Sequence, residues 1–236
     1  MKNIDTRKRS TRHEIMDDFD LQGPELEKTL KDLDKVNKWL GGNKLTLEGI
    51  EQVLENYTLE RPVKIVDVGC GNGSVLMEVA QLGRRKKIPM ELVGIDGNRH
   101  TIAIAQRLNE YPEISFQSTD VFSRNFKNEE ADIFLCTLTL HHFKDDEIED
   151  LLRIFVKNSS MGVVINDLHR SRIAYYLFEA FCAVFIKNEI ARRDGLISIL
   201  RGFKEDELEW FGRNLKVRAQ KIKWKWAFRY QWILFK

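Results

Sequence analysis

The sequence predicts an α/β fold: a doubly wound, mostly parallel sheet of seven strands, with helices on both faces and an antiparallel last strand. Short β-branched and apolar segments recur along residues 63–166, most of them ending in an acidic residue, and helical periodicity separates them. The chain then ends in two alternating segments typical of a hairpin. Parallel strands in this order bring their carboxyl ends to one edge, where open α/β sheets bind ligands.

The first strand and the loop after it form the most informative stretch of the chain. Valine and isoleucine dominate residues 63–68, as expected for a strand buried on both faces. Gly69, Gly71 and Gly73 then alternate, so the backbone can take positive φ and approach a ligand closely. This spacing differs from both the G-x-G-x-x-G dinucleotide fingerprint and the P-loop. Asp67, two residues before the first glycine, would repel a phosphate but attract a cationic amino group.

Four more parallel strands are predicted after this loop. They cover residues 91–96, 114–120, 131–137 and 162–166, and a helix over about 145–157 precedes the last of them. Asp96 follows the glycine loop at about the distance at which doubly wound folds place a ribose-binding carboxylate. Taken singly, Asp96 and Asp120 are equally consistent with solvated strand ends. Their joint spacing after Asp67 favours ligand binding.

Four motifs in order, VDVGCGNG, VGIDGN, STDVF and LCTLTLHHF, resemble those of class I S-adenosylmethionine-dependent methyltransferases. The resemblance covers residues 63–167. Within that family, the paired histidines after the fourth strand and the small size are similar to small-molecule methylases of the ubiquinone/menaquinone type. The flanking segments resemble methylases of polyketide or aromatic products. The resemblance implies a Rossmann-like fold, S-adenosylmethionine as the cofactor and methyl transfer as the reaction.

The resemblance also implies a set of cofactor-binding residues. Asp67 would lie near the methionine amino group, Asp96 would accept hydrogen bonds from the ribose hydroxyls, and Asp120 would accept one from the adenine amine. The glycine loop would lie under the methionyl and ribose parts, and Thr137 with Leu138 would lie close to the sulfonium. The full set is Asp67, Gly69, Gly71, Gly73, Asp96, Asn98, Asp120, Val121, Thr137 and Leu138.

Three histidines are candidates for a general base at the carboxyl edge of the sheet. They are His141, His142 and His169. An imidazole has a suitable pKa for removing a proton near neutral pH. Because His141 and His142 are adjacent, their side chains point in different directions, and we expect at most one to serve the substrate. A structural role is the alternative for each of them.

A helical insertion is predicted after the fifth strand. Residues 173–186 are apolar nearly all round, and the space before the sixth strand holds two or three helices. We expect a helical lid over about 171–200, with Tyr175, Tyr176 and Phe178 facing the substrate; an ordinary inserted core is the alternative. Arg170 and Arg172 could bind an anionic substrate oxygen, or could be surface charges.

The two ends of the chain differ in pattern. Residues 1–60 are expected to form an N-terminal helical extension, loosely ordered before about residue 15 and with two helices over 24–57, and residues 61–236 to form the methyltransferase domain. Lysines alternate with tryptophans over 215–235, a pattern found in nucleic-acid-binding surfaces and also in solvated edge strands. The edge-strand interpretation is favoured, because acids elsewhere balance the charge.

Composition is that of an ordinary globular protein. The 236 residues carry a net charge of +2, which gives no overall field for nucleic acid or membrane. The three cysteines form no C-x-x-C pair, so neither a metal site nor a disulfide framework is predicted. No leader-like segment and no apolar run of spanning length is present, so we expect a cytoplasmic location without a membrane span.

Together these observations predict methyl transfer from S-adenosylmethionine to a small acceptor, aromatic or polyketide-like, with no nucleic-acid partner. Two alternatives stay open: an RNA or protein methyltransferase that uses the basic C-terminal hairpin, and a non-catalytic S-adenosylmethionine-binding protein. An N-P-P-[YF] tetrapeptide, common after the fourth strand in amine-methylating enzymes of nucleic acid, is replaced here by Leu-Thr-Leu-His. The accepting atom and the oligomeric state are not encoded in these motifs.

Overall fold

The computed structural model describes residues 4–57 and 60–236, and it contains one seven-stranded sheet. The strands are β1 (Val63–Val68), β2 (Met90–Asp96), β3 (Ile114–Ser118), β4 (Ala131–Thr137), β5 (Ser159–Leu168), β6 (Ala219–Lys225) and β7 (Arg229–Phe235). The helices are α1 (Gly23–Trp39), α2 (Gly42–Val53), α3 (Ser74–Lys86), α4 (Arg99–Leu108), α5 (Asp145–Asn158), α6 (Arg172–Phe185), α7 (Glu189–Arg201) and α8 (Glu205–Gly212).

The strand order confirms the predicted fold. The order across the sheet is β3-β2-β1-β4-β5-β7-β6, with β1 to β5 parallel and β7 antiparallel to both of its neighbours. The chain reverses its direction of winding between β1 and β4, which is where a doubly wound sheet opens a crevice for ligands. The loops that follow β1 and β4 therefore meet at that crevice.

Two apolar layers enclose the sheet, because the central strands are buried on both faces. On one face Phe134 of β4 stacks on Phe155 of α5 at 5.1 Å between ring centroids. On the other face Ile65 and Ile133 pack with residues of α2 and α3, among them Ile50 and Leu76. Helix α2 therefore contributes to the same core as the sheet. A separate extension over residues 1–60 stays a prediction.

The helical insertion after β5 is confirmed as the pair α6 and α7. Ser171 and Asn188 immediately precede these helices as N-cap residues. Their side-chain oxygens accept hydrogen bonds from the first-turn amides. The pair packs on α1 through an apolar cluster that includes Val36, Phe178 and Cys182. Among the described residues, no helix combines the length and the apolar character that crossing a bilayer requires.

Candidate functional site

The glycine loop after β1 has the conformation that its sequence requires. Gly69, Gly71 and Gly73 all have positive φ, at 74°, 54° and 78°. A Cβ on Gly69 would come within 2.2 Å of the Thr139 hydroxyl, so the loops after β1 and β4 touch at this glycine. Gly73 differs from the expectation: a Cβ there would come within 2.5 Å of Phe116, and Gly73 is not among the described residues that line the cavity below. It allows the loop to pack against β3.

A large cavity opens above this loop, at the carboxyl edge of the sheet. Its volume is about 1740 Å³, enough for a nucleoside cofactor together with an acceptor. Its wall includes nine of the ten predicted cofactor residues: Asp67, Gly69, Gly71, Asp96, Asn98, Asp120, Val121, Thr137 and Leu138. The sequence motifs therefore converge on one space.

Asp67 is the most unusual group in this cavity. Its side chain is buried, and its Oδ1 has no hydrogen-bond partner among the described residues. Burial, with the nearby charge of Asp96, raises the pKa of Asp67 to about 8. A buried carboxyl without a donor is costly unless a ligand satisfies it, and a cationic amino group would do so.

Asp96 is held by the backbone of two loops. It accepts hydrogen bonds from Gly71 N at 3.1 Å and Asn98 N at 2.9 Å, which leaves further lone pairs for hydroxyl donors. Burial raises the pKa of Asp96, although these two hydrogen bonds oppose the shift. The Asn98 side chain is already engaged, because it caps α4 and donates to Leu21 O at 2.9 Å. Asn98 therefore positions Asp96 through its backbone.

The remaining predicted cofactor residues form the ends of the cavity. Asp120 accepts a hydrogen bond from Phe122 N at 2.9 Å, which fixes the turn that also presents Val121. At the other end, the Thr137 hydroxyl lies 3.0 Å from that of Thr46 on α2. Leu138 takes a positive φ of 53°, which is unusual for a branched side chain and is common at functional loops.

His141 has the surroundings of a general base. It is 2% exposed, and its Nδ1 lies 2.7 Å from Asp167 Oδ1. Its Nε2 has no hydrogen-bond partner among the described residues, and the side chain borders the cavity. Although burial acts against it, the charge and hydrogen bond of His141 hold the pKa of Asp167 below its ordinary value. An ionised Asp167 fixes the tautomer that leaves Nε2 free to accept a proton.

His169, also predicted as a base, is placed elsewhere. Its Nδ1 accepts a hydrogen bond from Trp224 Nε1 at 3.1 Å, and its ring packs edge-on against Tyr230. It is not among the described residues that line the cavity. The β6–β7 hairpin covers the end of β5 at this position, where His169 N donates to Phe228 O at 2.9 Å, so the structure does not bring His169 to the cavity.

The N-terminal segment over residues 7–19 was missed as part of the site. The expectation of loose order before residue 15 is wrong, because Arg9 donates to His141 O and Phe143 O, both at 2.9 Å. Glu14 is buried at the cavity wall, and Asp17 Oδ1 lies 2.6 Å from His142 Nδ1. This segment thus lies across the loop after β4 and closes one side of the cavity.

Three side chains that could bind a metal ion come together where this segment meets the histidines. One ligand atom each from Glu14, His141 and His142 lie within 4.8 Å of one another, a separation that a transition metal could bridge. Arg201 Nη1, however, lies 3.5 Å from Glu14 Oε1 and already supplies a positive charge there. Burial raises the pKa of Glu14, against the charges of His142 and Arg201 and a hydrogen bond from Ser198. These features favour a proton-sharing cluster over a cation site.

Replacing Arg201 with leucine should release the N-terminal segment. Arg201 pairs with Asp17 at 2.7 Å and donates to His141 O at 3.1 Å, so its loss leaves Glu14 buried without its cation. We expect Arg201→Leu to lower the free energy of unfolding by about 3–5 kcal/mol, measured in urea. Limited proteolysis should then cut within residues 7–19. The exposed Arg193→Leu, on the same helix, is the control, and equal stability of the two variants would contradict this assignment.

The predicted substrate residues divide between the cavity and the outer layers. Arg170 is buried in an ion pair with Glu207 at 2.6 Å, and Arg172 donates from Nε to Ile4 O at 2.7 Å. Neither belongs to the described cavity wall, nor do Tyr175 and Tyr176, so the structure does not bring these four residues to the cavity. Phe178 does line the cavity. It does so with Ala174, Leu177 and Phe181, because this set follows helical spacing along one face of α6.

Sequence comparison identifies a family over the central part of the chain. Residues 65–158 match the family described as "Methyltransferase domain". A protein-lysine N-methyltransferase of Saccharomyces cerevisiae (EFM4) is 31% identical over 109 residues, which cover 43% of this chain. The match spans 46% of the yeast protein, so the chain corresponds to about half the length of this curated relative.

Structural comparison extends the likeness to most of the chain. The plantazolicin methyltransferase BpumL, solved with a pentazolic desmethylPZN analogue and SAH, has a TM-score of 0.67 at 17% identity and covers 90% of this chain and 91% of its own. Human N-acetylserotonin methyltransferase, solved with SAM, has a TM-score of 0.63 at 16% identity and covers 90% of this chain and 56% of its own. At these identities the likeness shows the fold. Residues 65–158 thus match a methyltransferase domain, and the chain has a Rossmann-like methyltransferase fold.

Proposed function

We propose that this protein transfers a methyl group from S-adenosylmethionine to a small acceptor, aromatic or polyketide-like in shape. The observation that carries the proposal is the unpartnered, buried Asp67 carboxyl beside the glycine loop, in a cavity that the methyltransferase motifs share. A cofactor with a cationic amino group satisfies this carboxyl, whereas a phosphate would not. The residues present therefore fit the cofactor that the matched domain implies.

Each part of the cavity has chemistry that suits one part of the cofactor. Asp67 would pair with the amino group, and the free lone pairs of Asp96 would accept from the ribose hydroxyls. Asp120 and the Val121 amide would bind the adenine, and Leu138 would lie beside the sulfonium with Thr137 behind it. When bound, the cofactor supplies a methyl group on a positively charged sulfur, which is a strong electrophile.

The chain itself supplies positioning and proton removal. His141 lines the cavity, and its Nε2, 3.8 Å from Glu14 Oε1, has no hydrogen-bond partner among the described residues, so it can accept the proton of an acceptor hydroxyl as the methyl group is transferred. Asp167 stabilises the imidazolium that results, at 2.7 Å from Nδ1. The N-terminal segment over residues 7–19 and helix α6 border the same space and would keep water from the reacting atoms.

The shape of the cavity favours a small acceptor. Leu33 of α1 meets Phe178 and Phe181 of α6 at the wall, and aromatic side chains of this kind stack on planar acceptors. The RNA alternative is disfavoured, because two lysines of the hairpin are bonded to α2: Lys221 to Gln52, and Lys225 to Glu48 at 3.1 Å. A non-catalytic role is disfavoured by the oriented His141–Asp167 pair.

A protein substrate is the second candidate. It is favoured by the match to a protein-lysine N-methyltransferase at 31% identity. The purified protein should be assayed with radiolabelled S-adenosylmethionine against aromatic hydroxy compounds and against lysine peptides. Label transfer to the first group alone supports the small-acceptor proposal, and transfer to peptides alone contradicts it.

Cofactor binding is tested by titration calorimetry with S-adenosylhomocysteine. We expect binding to the wild type, and we expect Asp96→Ala to weaken it by about 2–3 kcal/mol because hydrogen bonds to a charged acceptor are lost. Asp150→Ala is the matched control, since Asp150 is an exposed carboxylate on α5 that pairs only with Arg153 among the described residues. No heat and no thermal shift with the wild type would remove the basis of the proposal.

A further inference from the structure

One buried arginine in the cavity has no role in the chemistry derived so far. Arg229 begins β7, where it pairs in register with Leu168 at the end of β5. Its side chain is 2% exposed, yet it borders the cavity. Neither its Nε nor its Nη1 has a hydrogen-bond partner among the described residues. We infer that Arg229 binds a carboxylate inside the cavity. The identity of the molecule that carries this carboxylate rests on the proposed function.

The state of Arg229 is exceptional for a buried charge. Buried arginines are almost always paired, because an unpaired charge in a poorly solvated place costs several kcal/mol. The other buried arginines obey this rule: Arg170 pairs with Glu207 at 2.6 Å, and Arg201 pairs with Asp17 at 2.7 Å. Arg229 alone among these three lacks an acidic partner within the described part of the chain.

The carboxylate whose charge acts on Arg229 already has hydrogen-bond donors of its own. Asp167 acts on it through charge, but Asp167 Oδ1 bonds elsewhere, to His141 Nδ1 and Leu168 N, both at 2.7 Å. Burial lowers the pKa of Arg229 to about 10, against the charge of Asp167. The guanidinium therefore stays charged at neutral pH and needs an anion that the described part of the chain does not supply.

The surroundings of Arg229 add further polar groups. A Cβ on Gly42 would lie 2.7 Å from Arg229 Nη1 and 1.8 Å from Asn37 Oδ1, so the guanidinium, this amide and the first turn of α2 meet at one point. Asn37 also borders the cavity, and its Oδ1 is unpartnered among the described residues. The Asn37 NH₂ is engaged with Asn43 Oδ1, and Asn43 in turn donates from Nδ2 to Glu78 Oε1 at 2.7 Å, so Asn37 presents its oxygen towards Arg229. The planar guanidinium fork and the positive end of α2 together match a carboxylate.

Two molecules could bring this carboxylate. S-adenosylmethionine carries one on its amino-acid part, and an acceptor could carry one on its ring. The chemistry at Arg229 is the same in either case, so the experiment distinguishes the two sources by paired probes that differ only in the carboxylate-bearing part.

The experiment uses the full chain with Arg229→Met and Arg229→Lys. S-adenosylhomocysteine is compared with 5′-methylthioadenosine, which lacks the amino-acid part, by titration calorimetry. Benzoate and salicylate are compared with benzamide and salicylamide in the presence of S-adenosylhomocysteine. We expect Arg229→Met to weaken one carboxylate probe at least 10-fold while its neutral counterpart is unchanged, with Arg229→Lys intermediate. Loss confined to S-adenosylhomocysteine assigns the cofactor, and loss confined to the aromatic acids assigns the acceptor.

Stability separates this role from a structural one. Without ligand, Arg229→Met should melt at the same temperature as the wild type or higher, because an unpaired buried charge is removed. Arg170→Met, which breaks a satisfied pair, should melt lower. A low melting temperature for Arg229→Met, or unchanged affinity of both Arg229 variants for every carboxylate probe, overturns the inference. Wild-type protein that binds aromatic acids but no S-adenosylhomocysteine would refute the methyl-transfer proposal and leave the carboxylate site standing.

Discussion

Replacing Asp67 with asparagine is expected to stabilise the ligand-free protein while it impairs cofactor binding. At pH 8 the wild type holds a buried carboxyl whose Oδ1 has no donor among the described residues. The amide that replaces this carboxyl would carry no charge and would never need to ionise. We expect Asp67→Asn to raise the free energy of unfolding at pH 8 by on the order of 3 kcal/mol, after allowance for water in the cavity.

The pH dependence of stability follows from the same carboxyl. Its ordinary pKa is 3.8 and burial raises the folded-state pKa to about 8, so the unfolded chain releases this proton first. The stabilisation is present in full below pH 3.8 and is lost as pH rises towards 8. Urea unfolding at pH 5 and pH 8 should show a larger loss for the wild type than for Asp67→Asn. Asp150→Asn, at an exposed carboxylate, should behave as the wild type, and identical slopes for all three would contradict the assignment.

Cofactor binding should change in the opposite direction. An asparagine can accept a hydrogen bond from an ammonium group, but it cannot neutralise the charge. We expect the affinity of Asp67→Asn for S-adenosylhomocysteine to fall about 100-fold, since hydrogen bonds between charged groups contribute roughly 1.5–3 kcal/mol. A variant that is more stable and also binds as tightly as the wild type would show that Asp67 does not contact the amino group.

The fold was predictable because its signals are local. Parallel strands buried on both faces require apolar β-branched runs, and the edge that binds ligands requires polar residues at strand ends. Asp67 and Asp96 are polar residues of the second kind, at the ends of apolar strands, and both line the cavity. The positive φ of Gly69 and Gly71 confirms the loop that the spacing of the glycines predicts. The strand predicted over 114–120 is shorter in the structure: β3 ends at Ser118, and a turn closed by Ser123 N donating to Asp120 O at 3.0 Å follows.

The missed residues depend on contacts between distant parts of the chain. Arg9 meets Phe143 across 134 residues, and Arg201 meets Asp17 across 184. The residues around Arg9 and Asp17 are mostly charged, so nothing local distinguishes this stretch from a solvated terminus. The partner of Arg170 is equally distant in sequence: its guanidinium pairs with Glu207 of α8, 37 residues later. Arg229 lies in a strand whose alternation predicted only an edge hairpin.

His141 should be the residue whose loss most reduces turnover. Glutamine is similar in size and can still donate to Asp167, but it cannot accept a proton at neutral pH. We expect His141→Gln to lower kcat by about 10²–10⁴-fold, the range for loss of a general base, with unchanged affinity for S-adenosylhomocysteine. His100→Gln, on α4 and not among the described residues of the cavity wall, is the control.

Treating the wild type with a chelator distinguishes proton transfer from metal chemistry. Glu14 and His142 lie near His141 Nε2, so a bound cation would also be lost with His141. Prior treatment of the wild type with a chelator should leave kcat unchanged if His141 removes the proton, whereas loss of activity that zinc restores would assign a metal.

The rate of His141→Gln should also rise with the acidity of the acceptor hydroxyl, because an acceptor that is already ionised needs no base. If His141→Gln turned over a weakly acidic acceptor at the wild-type rate, His141 would be excluded as the base.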